Sequence, residues 1–461
     1  MKILHTSDWH LGRSLHQADL TPAFQLWIDH VVDTVRAHEV DALLISGDVY
    51  DTSTPSGSIV ELFSTALRRL TELTTVIAIS GNHDSAQRLG FGADLFKDSL
   101  HIRTKSVDCG IPVPVYTKNG TLGALVYPIP YLDPYMEKNA LAHALEQHAI
   151  MLPNEEEGAS KRHNSPIAHK APEHNKAPEH NRTPENNKAS TPERTGIVAE
   201  NPPSVMAENN TQPRIQGNHP SVMKAALELI KKDCEEGEFS GENVARIVMA
   251  HAFVTGAQSS ESERDISVGG IDNVPSSLFR LGDTEGAGPL SYIALGHLHS
   301  PQKVGVKGDP PMRYSGSPIA FSFTETVQKS STLLTFDGSQ LTDTTLIPAP
   351  VWRPIRTIEG TLESILDAKN QAYRDAFARI IVTDSSRPPH LIPLIHQAFP
   401  HALDIHYRSS TQAHMASINP SIYNPLDIIM DFMKETGGRN LTPEEKELLS
   451  CVWDNVKAGE E

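Results

Sequence analysis

Apolar residues along this chain follow two alternating rhythms. Continuous runs at residues 42–45 (Ala-Leu-Leu-Ile) and 76–79 (Val-Ile-Ala-Ile) have the pattern of strands buried on both faces, and residues 246–250 and 292–295 repeat it later. Between the first runs, Phe24, Trp27, Ile28, Val31, Val32 and Val35 recur at helical spacing, and Val60, Phe63, Leu67 and Leu70 do so again. With the strand-like Ile3-Leu4-His5-Thr6 at the start, the alternation predicts a layered α/β domain.

The rhythm stops between about residues 153 and 220, where Pro, Asn, Glu, His and Lys replace large apolar side chains. APEHNK at 171–176 and APEHNR at 177–182 are near-copies, and TPENNK at 183–188 is a looser third. Six residues is too short a period for a solenoid, and a proline in every unit opposes helix. A disordered, extended insertion is expected, its histidines solvated. Patterning resumes and then breaks again near Pro348-Ala349-Pro350. Beyond this, strand-like stretches at 351–358, 378–383 and 403–407 alternate with helix-like ones from 361 and near 391–399, which predicts a small α/β domain over 350–410. Two short helices should close the chain at 420–461. Asn424-Pro425 supplies a cap and a proline at the first helical position of one, and Thr442-Pro443-Glu444-Glu445 is a capping box for the other. Leu448, Leu449, Val452, Trp453 and Val456 give the last helix an apolar stripe.

Composition narrows the class. A chain of 461 residues, 38% hydrophobic and 21% charged, is an ordinary globular protein of two or three domains. No window holds the roughly 18 consecutive apolar residues of a membrane span, and no apolar leader precedes the first strand, so a cytoplasmic protein with no membrane role is expected. Cys109, Cys234 and Cys451 are widely spaced, which argues against a disulfide framework or a thiolate zinc site. A formal charge of -17 argues against a broad basic surface that coats nucleic acid, yet leaves DNA open as a substrate, because bound cations reverse the local sign at a carboxylate-lined site.

The chemistry lies just after the predicted buried strands. Asp8-Trp9-His10 follows the first, Gly47-Asp48-Val49-Tyr50-Asp51 the second and Gly81-Asn82-His83-Asp84 the third; His251 ends a later strand and Gly296-His297-Leu298-His299 follows another. Ligands in open α/β sheets collect at the carboxyl ends of strands. Any one of these motifs alone is more often a cap or a core residue. Five in this order point to metal. Asp8, His10, Asp48, Asn82, His251, His297 and His299 combine imidazole, carboxylate and amide oxygen without thiolate, a set that suits manganese, iron or zinc. Seven ligands are too many for one such ion and fit two that share a bridging carboxylate, the arrangement that orients a phosphate and activates water for in-line displacement. His83, with Asp84 beside it, faces two readings: an imidazole on the open side that stabilises or protonates the leaving oxygen, or an eighth ligand or simple hydrogen-bonding group. Asp51 is equally a partner of the ligands or a turn residue. His5, His101, Trp9 and Trp27 are read as structural.

These motifs together resemble the calcineurin-like metallophosphoesterase superfamily. Further stretches, AHAFVTGA around His251, SESERDISVGGIDNVP at 260–275, YIALGHLHSPQ at 292–302 and RYSGSPIAFSF at 313–323, resemble within it the SbcD family, the nuclease subunits of bacterial SbcCD complexes. The resemblance covers most of residues 1–340 apart from the insertion; the C-terminal region matches by layout. It implies a metallophosphoesterase β-sandwich flanked by helices over 1–345, a capping domain at 350–410, and a helix pair at 420–461 that docks on the coiled coil of an SbcC-type ATPase. It further implies a manganese-dependent nuclease that trims duplex DNA ends 3′ to 5′ and opens hairpins, coupled to ATP hydrolysis by that partner, in a heterotetramer containing two copies of this chain. By the same resemblance, Asp8, His10, Asp48 and His299 hold one ion and Asp48, Asn82, His251 and His297 the other, with Asp48 bridging and His83 catalytic. Two other functions compete: a phosphoesterase for small esters or cyclic nucleotides with the same centre, and a non-catalytic scaffold that only binds a coiled-coil ATPase. The complete ligand set speaks against the scaffold.

Overall fold

The computed structural model describes residues 1–96, 99–151, 215–263, 273–281, 289–408, 442–446 and 448–449. Most of the low-complexity insertion and nearly all of the expected terminal helix pair lie outside these residues. Of the pair, the capping box at Thr442 is described: the Thr442 amide donates to Glu445 Oε2 at 2.8 Å and the Glu445 amide to Thr442 Oγ1 at 3.3 Å.

The chain divides into two units. The first, Met1–Arg13 with Phe24–Ala320 and Val327–Pro350, contains two six-stranded sheets. In one, the strands run in the order Gln340–Pro348, Ser330–Asp337, Lys2–Thr6, Ala42–Ser46, Thr75–Ile79 and Leu100–Arg103; the last four are parallel and the first two are antiparallel additions. In the other, Ala245–His251 and Tyr292–Gly296 are parallel neighbours at the centre, in register from Ile247 opposite Tyr292 to His251 opposite Gly296. Leu122–Ile129 and Met312–Tyr314 extend this parallel core on either side.

The apolar runs are continuous because these central strands are covered on both faces. One face of each sheet meets the other sheet: Ile3, Leu44, Ile77, Val126, Ile247, Met249 and Ala294 belong to one buried cluster. On its other side the second sheet packs on helices Pro134–Met151 and His219–Glu236 through Leu141, Val222, Leu229 and Ile230. Both helices start on side-chain caps followed by proline. Asp133 accepts the amides of Tyr135 and Met136, and Asn218 that of Ser221. Helices Thr21–His38 and Gly57–Thr71 bury Phe24, Trp27, Val31, Phe63 and Leu70. Trp9 stands edge-on to Trp27 and Phe63 with ring centres 6.0 and 6.1 Å away, a packing role for both tryptophans. His5 is fully buried, its Nδ1 3.2 Å from the Tyr292 hydroxyl.

The second unit gathers Ser14–Ala23, Phe321–Thr326 and the chain from Val351. Its three parallel strands, Ile355–Gly360, Phe377–Val382 and Ala402–Tyr407, lie in sequence order, with helix Leu391–Ala398 packing Leu391 and Ile395 onto Ile380 and Val382. Arg379 pairs with Asp404 at 2.7 Å and its guanidinium lies over the Phe323 ring, 4.8 Å from its centre. The strand positions agree with the apolar pattern to within a few residues at their ends.

Candidate metal centre

The seven ligand candidates converge at the carboxyl ends of the central strands in the first unit. Asp8, His10, Asp48 and Asn82 follow strands of the first sheet, and His251, His297 and His299 end or follow strands of the second. All but Asn82 are almost fully buried. Ligand atoms of Asp8, His10 and His299 lie within 4.8 Å of one another, as do those of Asp8, Asp48 and His251, and those of His10, Asp48 and His83. Asn82 Oδ1 completes the set, 2.9 Å from His251 Nε2 and 3.2 Å from His297 Nδ1.

This convergence requires unusual backbone. Asp8, His10, Asp48 and His297 have φ of 53°, 45°, 47° and 108°, values that L residues rarely adopt and that persist only where neighbours hold them. A short ladder provides the hold: the amides of Asp8, His10 and Leu11 donate to the carbonyls of Gly47, Asp48 and Val49 at 2.9–3.0 Å. The His297 amide donates to Asp8 Oδ1 at 3.0 Å. Two glycines allow the strand ends to touch. A Cβ on Gly81 would lie 2.2 Å from Asp48 Oδ1, and one on Gly296 would lie 1.8 Å from the Ser46 carbonyl oxygen.

The hydrogen bonds fix which nitrogens face inward. His251 Nδ1 lies 3.0 Å from the Ser46 carbonyl, which can only accept, so Nδ1 donates there and Nε2 is the nitrogen turned to the cluster, 2.9 Å from Asn82 Oδ1 and 3.5 Å from Asp48 Oδ2. His10 Nδ1 is 3.3 Å from Asp51 Oδ1, and its Nε2 faces His299 Nε2 across 3.0 Å and Asp48 Oδ2 across 3.4 Å. Nitrogens and carboxylate oxygens packed this closely need a proton or a cation between them. The protonation equilibria express the same demand. Burial pushes the Asp8 carboxyl up to about 8, with Asp48 adding to the shift. His251 rises to about 9 although burial opposes it, because Asp48 and Asp8 surround it. Asp48 stays ionised well below the usual range despite its burial, held there by His251 and His10. Burial and His251 push His297 down to about 3. Two carboxylates, four imidazoles and an amide oxygen, arranged so that only positive charge satisfies them, fit a pair of divalent ions.

His83 stands at the edge of the cluster, its side chain 16% exposed. Its amide donates to Asp48 Oδ1 at 2.9 Å, and its Nδ1 donates to the Asp51 carbonyl at 2.7 Å, which leaves Nε2 free of that bond. Asp84 is placed differently from the expectation that it stands beside this imidazole. Its carboxylate accepts the amides of Val49, Tyr50 and Gly81 at 2.9–3.0 Å, and so brackets the second strand-end loop to the third. Three amides fix the carboxylate there, although burial and the Asp48 charge push its pKa up to about 6. The carboxylate nearest the imidazoles is that of Asp51, which approaches His10, His83 and, at 3.6 Å, Arg13. Its fifth place in GDVYD is the available signal. Ser7, whose hydroxyl donates to Asp8 Oδ2, and Lys329, which donates to the His299 carbonyl at 2.7 Å, support the ligands without any signal in the motifs.

The calcineurin-like phosphoesterase model matches residues 1–137, which include Asp8, His10, Asp48, Asn82, His83 and Asp84. This chain carries a calcineurin-like phosphoesterase domain. The three later histidines reach the same centre through the second sheet. A second model, the Type 5 capsule protein repressor C-terminal domain, matches residues 351–436. The SbcD subunit of the nuclease SbcCD from Escherichia coli strain K12 is 25% identical over 379 residues, 81% of this chain and 74% of that protein, and the O157:H7 protein gives the same values. The phosphoesterase domain followed by this C-terminal domain is the arrangement of an SbcD-type protein, and the phosphoesterase domain implies divalent metal binding. Among the described residues no helix is long and apolar enough to cross a membrane.

Proposed function

We propose that the chain is the nuclease subunit of an SbcCD-type complex, a cytoplasmic enzyme of DNA repair, recombination and replication. The observation that carries this reading is the buried seven-residue cluster within a chain that matches an SbcD protein over 81% of its length. Asp8, His10, Asp48 and His299 would hold one ion and Asp48, Asn82, His251 and His297 the other, with manganese suited to the imidazole and oxygen donors. Bound there, the ions supply Lewis-acid activation of the phosphodiester and of the attacking water. His83, anchored through Nδ1, directs its other nitrogen to the leaving oxygen and delivers the proton that oxygen needs as the phosphorus–oxygen bond breaks. The substrates are duplex ends, trimmed 3′ to 5′, and hairpins. An SbcC-type coiled-coil ATPase is the partner, bound through residues 420–461, and two copies of this chain join in a heterotetramer.

The acidic balance of the chain supports a division of labour in which the ATPase provides much of the DNA grip. Purified protein with Mn2+ should cleave linear duplex and hairpin DNA. Hydrolysis of a chromogenic phosphodiester alone would instead favour an enzyme of small phosphate esters.

A further inference from the structure

The SESE stretch at residues 260–263 supplies neither an ion ligand nor the proton for the leaving oxygen, yet in the fold it lies against His299. Glu263 Oε1 accepts the His299 amide at 2.7 Å, and Glu263 Oε2 accepts the Ser260 hydroxyl at 2.8 Å. Ser260 Oγ is 3.2 Å from Ser262 Oγ, which in turn contacts His299 Nδ1 at 2.5 Å.

The direction of this chain of bonds is determined by its end. An ionised carboxylate only accepts, so Ser260 must donate to Glu263 and its oxygen is left to accept from Ser262. Ser262 Oγ then accepts from His299 Nδ1–H. With the proton on Nδ1, the lone pair of Nε2 points at the cluster, where His10 Nε2 lies 3.0 Å away. The main chain of His299 is gripped as well, its amide by Glu263 and its carbonyl by Lys329. Arg13 ties the turn to the opposite side of the centre, donating to the Ser262 carbonyl at 2.7 Å while it approaches Asp51.

We propose that residues 260–263 are a positioning clamp for the metal ligand His299: a serine–serine–glutamate relay that selects its tautomer and fixes its ring, and so sets the affinity of one of the two ions. The proposal rests on the reading of His299 as a ligand. Manganese binding to the full-length protein, followed by calorimetry and by the paramagnetic resonance spectrum of the loaded protein, tests it. The wild type should bind two ions and give the spectrum of a coupled pair. Ser262→Ala and Glu263→Gln should weaken one ion about 10–100-fold, leave the other unchanged, and give the spectrum of isolated ions. Ser262→Thr, which keeps the hydroxyl, should restore both. A wild type that binds no manganese would overturn the ligand reading itself. A wild type that binds two, with Ser262→Ala and Glu263→Gln binding both equally well, would overturn the clamp alone. If Ser262→Ala does not fold, the Glu263→Gln affinity decides.

Discussion

Loading the centre with metal must expel protons, and their number follows from the geometry. In the metal-free cluster Asp8 titrates near 8 because it is buried and faces Asp48, and His251 near 9 because Asp48 and Asp8 outweigh its burial. At pH 7 the first is about nine-tenths protonated and the second almost fully so, whereas ligand atoms must be deprotonated. Asp48 is already ionised and His297 already neutral, so neither contributes. Saturation at pH 7 should therefore release about two protons per chain, falling well below one by pH 10. Titration calorimetry with Mn2+ in buffers of different ionisation enthalpy measures this number directly as the slope of observed heat against buffer enthalpy. A slope near zero at pH 7 would refute the assignment of Asp8 and His251 as proton-holding ligands.

The same two groups make metal-free protein less stable as pH rises above neutrality. Each binds its proton more tightly folded than unfolded, Asp8 from the usual carboxylate range up to about 8 and His251 from 6.5 to about 9, so stability is present below these windows and lost as pH rises through them. Burial holds His297 and His5 at about 3, which acts in the opposite sense below about pH 7, so the melting temperature of chelated protein should fall between about pH 7.5 and pH 9; a rise there would contradict the shifts. His83→Ala should lower DNA cleavage by about 10²–10⁴-fold while two ions still bind, and a loss of metal stoichiometry would make His83 a ligand instead. Gly81→Ala drives a methyl group against Asp48 Oδ1 and should cost about 1–3 kcal/mol of stability as well as metal affinity, which denaturant unfolding and calorimetry would reveal. The isolated chain should bind duplex weakly with a shallow salt dependence; tight binding with a steep dependence would place the DNA grip in this chain.

The strands that carry ligands are legible in the sequence because burial on both faces leaves an unbroken apolar run, and a glycine or polar motif marks where it ends. Asp8, Asp48 and Asn82 stand out for that reason. His251, His297 and His299 are legible as strand-end histidines, but their meeting with Asp48 depends on sheet packing that no spacing encodes. Asp84 shows the limit: its neighbour in sequence, His83, turns toward the Asp51 carbonyl, while its own oxygens are taken by amides of a loop more than thirty residues away. Adjacency along a tight turn does not fix which way two side chains face. Ser262 and Glu263 are visible only as letters in a stretch, because hydroxyl relays have no periodic signature. The expected terminal helices fall outside the described residues apart from their capping box, whose local rule needs no tertiary partner.

The ligands come from both halves of the sandwich: Asp8, His10, Asp48 and Asn82 from one sheet and His251, His297 and His299 from the other. Ions held there would act as rivets through the seam of the protein's own interior. Stripping them would remove a tie between the two layers as well as the chemistry, and leave only protons between the oxygens of one sheet and the imidazoles of the other. A cell short of metal would then hold this enzyme in a form that opens more readily to proteases, so that metal supply governs how long the chain survives along with how fast it cuts.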